Sequence, residues 1–413
     1  MNRRHLLALT AAGALAARVA AAPTAAPAAA LGASGETWFT GWLNDFYRRT
    51  VAAGWPRAVL DREFAGLAAD PRVAALDARQ PEFARPVSDY VKASVTAGRI
   101  AVGQGKRESV PAFPQIERTW GVPREILIAI WAMESGFGAL QGTMDVVRSL
   151  ATLAALGRRR PWAEAELLAA LRIVSTREAP RARLIGSWAG AMGQTQLLPS
   201  TYLATAVDLT GDGKPDIWGS APDALASAAN LLAKAGWRRG EGWAREVLLP
   251  PVFDLGLSEG PALVPDQWRT KGVRLAGGRP WNGQESGAPC VLLLPSGADG
   301  PAFLALPNHF VIRKYNNSVS YALAVGLLAD RFAGAGPLRT PWPREVPLSL
   351  TDRLDAQSAL ARLGLDPGPP DGVVGLGTRQ ALRGWQRLQG MPADGYLSPD
   401  VVRRLRAAAA ARH

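Results

Sequence analysis

Residues 126–133 read Ile-Leu-Ile-Ala-Ile-Trp-Ala-Met, eight apolar positions with no polar break. Such a run has no solvent face, so it predicts a buried helix rather than an amphipathic surface helix. Pro123 suits its first turn, and Gly136 and Gly138 suit its end. Residues 224–234 and 321–332 are further helical runs. Residues 271–310 differ: Gly/Pro turns separate short β-prone runs such as Val-Leu-Leu-Leu at 291–294, which predicts a small strand-containing subdomain. The Ala/Pro-rich stretch 23–35 and the Gly/Pro-rich stretch 333–347 read as linkers. Between and beyond them lie a body, 36–332, and a tail module, 348–413. In the tail, Ala381, Trp385 and Leu388 recur at helical spacing, and Ser398-Pro399-Asp400 is a good helix start running on through Val401 and Leu405. Two Asp-Gly turns, at Asp371-Gly372 and Asp394-Gly395, each lead into a helix and form a weak internal repeat. The expected fold class is mainly α, with a minor β component (α+β).

The N-terminus breaks the pattern. Arg3-Arg4 precede an Ala/Leu-rich run over 7–17 and small residues at 19–22. This predicts a twin-arginine secretory signal over 1–22. A membrane span needs about 20 apolar residues, and this run is shorter and ends at Arg18. No cysteine lies near the cleavage region, so the expectation is an exported, periplasmic protein and not a lipoprotein.

The 413 residues are 48% hydrophobic and 20% charged, enough for two or three domains with sizeable cores. The formal charge is +12, and losing Arg3, Arg4 and Arg18 with the signal lowers it to +9. A basic exported chain is drawn to an anionic polymer or membrane surface; its scattered arginines form no nucleic-acid motif. A monomer is expected. The single cysteine, Cys290, rules out an intramolecular disulfide and reads as a buried structural thiol. With only His5, His309 and His413, a histidine-built zinc site is a poor fit, and a Ser-His-Asp triad would have to run through His309. Carboxylates are left as the expected catalysts.

The apolar run leads straight into Glu134 at the expected helix C-terminus, followed by Ser135-Gly136-Phe137-Gly138. Burial and the negative end of a helix dipole both disfavour an ionised carboxyl there, so both raise the expected pKa. An acid still protonated near neutral pH is what a general acid requires. Taken locally, the same pattern also fits the first exposed residue after a core helix.

Met133-Glu134-Ser135, with Phe137 and Gly138, resembles the E-S/T-x-x-G catalytic element of lytic transglycosylases. Ser187-Trp-Ala-Gly-Ala-Met-Gly-Gln-Thr-Gln196-Leu-Leu-Pro-Ser-Thr-Tyr202 is similar to the S-x-A-G-A-M-G-x-x-Q-x-x-P-S-x-Y signature of the membrane-bound B family of lytic murein transglycosylases. Arg313-Lys-Tyr315-Asn316-Asn-Ser-Val-Ser-Tyr321-Ala is similar to that family's Y-N-x-S-x-x-Y-A, and the three blocks keep the family's order. The resemblance implies a goose-lysozyme-like helical catalytic domain that cleaves peptidoglycan glycan strands with no cofactor required for catalysis. Glu134 would be the single acid/base for cutting between N-acetylmuramic acid and N-acetylglucosamine, leaving 1,6-anhydro ends. Ser187, Gln196, Tyr315, Asn316 and Tyr321 occupy groove-lining positions, and Tyr90 matches a further groove tyrosine more loosely. Where some relatives have an aromatic after the Asn of A-N-Y, Asn230 is followed by Leu231. A true muramidase on the same fold and a non-catalytic wall-binding scaffold are the alternatives.

Asp208, Thr210, Asp212, Lys214 and Asp216 stand at the first, third, fifth, seventh and ninth positions of an EF-hand-like loop, with Gly213 at its sharp turn. Lys214 would contribute its backbone carbonyl. The usual closing Glu is absent, and Asp223 is the candidate substitute. A structural calcium ion is the expectation. The tail, with Asp371-Gly372-x-x-Gly375-x-x-Thr378 and Trp385-Gln386, resembles a three-helix peptidoglycan-binding domain.

Overall fold

The apolar run folds as the helix Arg124–Ser135, in which Ile126 through Ala132 are all buried. At about 1.5–3 kcal/mol for each fully buried aliphatic side chain, this helix anchors its surroundings. The structure, a computed structural model, describes residues 35–78, 85–176, 178–278 and 280–411. The signal expected over 1–22, and the linker expected over 23–35 except Gly35, lie outside the described residues. No helix among the described residues is long and apolar enough to cross a membrane. The chain forms two compact units, one from 35–78, 106–176 and 178–234, the other from 85–105, 235–278 and 280–411.

In the first unit, Val146–Leu156 packs along Arg160–Ser175 and also against Gly35–Ala52 and Pro71–Ala78. Ala221–Lys234 packs on both Phe113–Trp120 and Arg124–Ser135. A short antiparallel ladder joins β1 (Met144–Asp145) to β2 (Ile185–Gly186), with Asp145 opposite Ile185.

The second unit contains the expected strand subdomain, with four antiparallel strands in the order β4-β3-β6-β5. These are β3 (Ala244–Leu248), β4 (Arg274–Leu275), β5 (Val291–Leu293) and β6 (Ala302–Ala305). β3 lies upstream of the region expected from sequence, because Arg245 and Glu246 interrupt its apolar pattern. The fold uses both charges. Arg245 pairs with the buried Glu285 at 2.6 Å. Glu246 accepts the backbone N–H groups of Arg339 and Thr340 at 2.9 and 2.7 Å, fastening the Gly/Pro-rich stretch to the sheet. Cys290 is buried as expected, and burial pushes its thiol up to about 12. Val87–Ser94 and Pro307–Tyr315 both pack on Val319–Phe332.

The tail folds as Leu350–Arg362, Leu376–Leu388 and Pro399–Ala410 around Leu360, Leu382, Trp385 and Leu405. Ser398 caps the third helix through the Val401 N–H, as its sequence foretold. Leu388, in contrast, is 76% exposed: the helix ends there, and the inward position is taken by Gln386. The Asp-Gly repeat is a repeated hydrogen-bond device. Gln357 accepts the Gly372 N–H and donates to Asp371; Gln386 accepts the Gly395 N–H and donates to Asp394.

The tail is docked on the strand subdomain through Glu259, which accepts from Arg379 at 2.6 Å and from Arg383 at 2.7 Å. Glu259 sits at φ +56°, a conformation costing a non-glycine residue about 1 kcal/mol or more. Burial pushes its carboxyl up, but the two guanidiniums outweigh burial and hold it below the usual range. Glu259→Gln should destabilise the chain by about 2–4 kcal/mol in urea unfolding, because Arg383 is left buried without its charge partner. The folded pKa lies below the unfolded one, near 4.3. The wild-type advantage is therefore complete above that value and disappears as pH falls through the folded pKa.

Candidate functional site

Three consecutive positive-φ residues end the Glu134 helix: Gly136 (+56°), Phe137 (+63°) and Gly138 (+89°). The Gly136 and Phe137 N–H groups return to the Ala132 and Trp131 carbonyls, closing the last turn. Phe137 tolerates its left-handed backbone while packing edge-on against Trp131, ring centres 5.9 Å apart. Glu134 thus stands half-buried on a stiff final turn instead of a fraying end.

That turn is tied to the signature loop by side-chain amides. Gln194 accepts from the Trp131 indole at 3.0 Å and donates to the Trp218 carbonyl at 3.2 Å. Ser135 donates to the Gln194 carbonyl and accepts from the Gly138 N–H. Gln141 donates to the Gly138 and Trp218 carbonyls, both at 3.1 Å. Gln196, at φ +50°, donates to the Gln141 and Gly193 carbonyls at 3.0 and 2.8 Å, which leaves its Oε1 as an open acceptor. A Cβ on Gly138 would sit 2.6 Å from the Gln194 amide oxygen, so the turn can approach this closely only as glycine. Ser187 accepts the Ala191 N–H at 3.1 Å and keeps its own proton for donation.

Glu134, Ser187 and Gln196 all lie in the first unit, and Gln196 is bonded to Gln141, which in turn holds Gly138 of the Glu134 turn. Tyr90, Tyr315, Asn316 and Tyr321 gather in the second, on or at the end of three helices packed together. Tyr315 and Tyr321 are 5% and 3% exposed, so neither ring offers an open face; Tyr90 is half-buried. Sequence reasoning did not single out Gln141 or Gln194, and it named Ser135 only as part of the E-S/T-x-x-G resemblance. The only available signal for Gln194 was its place inside the signature, at a position where the pattern tolerates variation.

Residues 38–330 match the family described as transglycosylase SLT domain, and residues 349–405 match a peptidoglycan binding domain. The chain belongs to the transglycosylase SLT domain family. It is similar to membrane-bound lytic murein transglycosylase B of Escherichia coli (strain K12), 31% identical over 229 residues. That match takes in 53% of this chain and 60% of the relative, so the chain spans about three-fifths of the curated relative it matches. Among solved structures it is similar to SltB3 from Pseudomonas aeruginosa in complex with NAG-anhNAM-pentapeptide. There the TM-score is 0.84 and the identity 46%, covering 89% of this chain and 99% of that one. It is also similar to the Escherichia coli lytic transglycosylase Slt35 in complex with calcium, with a TM-score of 0.58 and 28% identity over 70% of this chain and 92% of that one. The family expected from the three motif blocks and the mainly helical fold are both borne out.

In this SLT-domain chain the Asp-rich loop closes on itself. Asp208 accepts the N–H groups of Gly211, Asp212 and Gly213 and the Thr210 hydroxyl. Burial pushes its carboxyl up, and those N–H groups outweigh it and hold it low. Asp212 accepts the Lys214 N–H. Asp216 caps Trp218 and Gly219 with one oxygen and pairs with Arg183 at 2.8 Å through the other. Asp223, fully buried, accepts Leu209 and Thr210 N–H on one oxygen and Asp216 N–H on the other. Among the described residues no group of three or more His, Cys, Asp or Glu side chains is placed to hold an ion. With Asp216 and Asp223 so engaged, the donor set does not fit a preformed calcium cage. What the loop does hold is the Ile217 and Trp218 carbonyls that receive the backbone and side chain of Gln194. Asp223→Asn should lower stability by about 2–3 kcal/mol, equally in calcium and in chelator. A loss seen only with calcium would mean that the loop carries an ion.

Proposed function

We propose that this chain is a lytic transglycosylase that cuts the MurNAc-GlcNAc β-1,4 bond of peptidoglycan without water, with Glu134 as its single acid/base. The observation that carries the reading is the placement of Glu134: half-buried, at the negative end of an apolar helix, on a turn immobilised by glutamine amides. Other buried carboxylates of the same unit have structural duties. Glu63 binds Arg62 and Arg181, Asp70 binds Arg72, and Glu166 accepts both the Ser200 hydroxyl and its N–H.

A lone carboxyl suffices if the substrate supplies the nucleophile. Glu134, protonated, donates to the glycosidic oxygen; then, as carboxylate, it takes the proton of the muramic 6-hydroxyl as that oxygen closes on C1. Two-carboxylate glycosidases instead need a second acid about 5–9.5 Å away to serve as nucleophile or to activate water. The product carries a 1,6-anhydro-MurNAc end, and the anhydro sugar bound to the SltB3 relative supports this outcome. Ser187 as donor and the Gln196 Oε1 as acceptor suit sugar hydroxyls and N-acetyl groups. Tyr90, Tyr315, Asn316 and Tyr321 are proposed as further sugar contacts. The tail would hold the enzyme on the wall, in the periplasm, where its substrate lies.

Glu134→Gln keeps shape and removes the titrating group. General acid–base catalysis contributes about 10²–10⁴-fold, so release of soluble muropeptides from sacculi should fall by at least about a hundredfold while sacculus binding is retained. Release above a tenth of wild type would contradict the assignment.

A further inference from the structure

The first unit contains a cavity of about 840 Å³ whose lining includes neither the Glu134 turn nor the signature loop. It is bounded by the end of Arg57–Phe64 and the following turn, the start of Val146–Leu156, and Pro180-Arg181. Its acids are neutralised. Glu63 takes Arg62 Nε at 2.8 Å and Arg181 at 2.9 Å, and Asp145 takes Arg181 at 2.7 Å while capping the Arg148 N–H.

Its cations nevertheless keep donors that no acid uses. The Arg148 guanidinium is held on two neutral acceptors, the Ala68 and Ala69 carbonyls, both at 2.8 Å. The nearest acid to it is Asp70, at 4.0 Å and already engaged by Arg72. Arg62 uses only Nε, so its two terminal NH₂ groups remain available on a side chain 58% exposed. A guanidinium with two free parallel donors matches a planar carboxylate. Apolar lining from Leu67 and Val174 suits a short aliphatic chain attached to that carboxylate, so the geometry favours an acidic peptide over a bare anion.

Location narrows the ligand further. Asp145 lies opposite Ile185 in the β1–β2 ladder, and Ser187 follows two residues later in the chain, just past the end of β2. At about 3.3 Å per residue that is roughly 7 Å of chain. A peptide three to five residues long spans about 10–17 Å. One hanging from a sugar seated at Ser187 can reach the cavity.

We propose that this arginine-rimmed cavity binds a carboxylate of the peptide that hangs from the glycan strand under cleavage. The inference rests on the peptidoglycan reading above, but a binding test separates the two, because it needs no bond to break. The full chain carrying Glu134→Gln is titrated calorimetrically at low salt with a disaccharide-peptide bearing free carboxylates, with the same compound amidated, and with the peptide-free disaccharide. The free acid should bind about three- to tenfold more tightly than the amide. Adding Arg62→Ala should bring that ratio below about two without changing affinity for the peptide-free disaccharide, and Arg62→Lys should restore part of it. Thermal melts check that the added variants are folded. Equal affinity for acid and amide, no binding of either, or a ratio that survives Arg62→Ala would overturn the proposal. A wrong Glu134 assignment would show instead in sacculus release.

Discussion

A glutamine amide fixes the turn that carries Glu134, the proposed acid. Gln194 receives the Trp131 indole N–H from the helix that carries Glu134 and gives its own N–H to Trp218. Buried amides are costly when unmet, about 1–3 kcal/mol for each stranded group. Each member therefore holds the others in register, and Gln141 and Gln196 extend the same logic to Gly138 and Gly193. The Asp-rich loop belongs to this device. Its carboxylates organise backbone N–H groups so that the Ile217 and Trp218 carbonyls face the signature loop. The proposed acid, Glu134, needs a defined position, and polar bonds closed around an apolar helix supply it.

The same economy governs the second unit. Gln357 and Gln386 each clamp an Asp-Gly turn, and Glu259 gathers two arginines from the tail helix. Part of the chain's arginine excess is thus structural, which tempers a reading of its positive charge as purely a means of meeting the wall. The arginines left with open donors, above all Arg62, are the informative ones.

The features legible in sequence were those that repeat or punctuate. The run 126–133 announced its helix because eight apolar residues can only be buried, and Ser398-Pro399 announced another because capping is local. Glu134, Ser187 and Gln196 stood out only through the family motifs that their segments resemble. The amides Gln141 and Gln194 were not legible, since a single glutamine carries no period and, Gly138 apart, their side-chain partners lie 24 to 77 residues away. β3 was hidden because Arg245 and Glu246 find their partners across the sheet and in the stretch around Arg339, contacts that no local window contains. Leu388 misled for the opposite reason: helical spacing continued one position past the point where the helix stops facing the core.

In the proposed reaction one carboxyl works with a nucleophile supplied by the substrate, so water never enters the bond that is made. Digestion of sacculi in ¹⁸O-labelled water, followed by mass spectrometry of the released muropeptides, tests this most directly. Cleavage by this route leaves 1,6-anhydro ends that carry no ¹⁸O. Reducing ends carrying one ¹⁸O atom would contradict it and identify the enzyme as a muramidase.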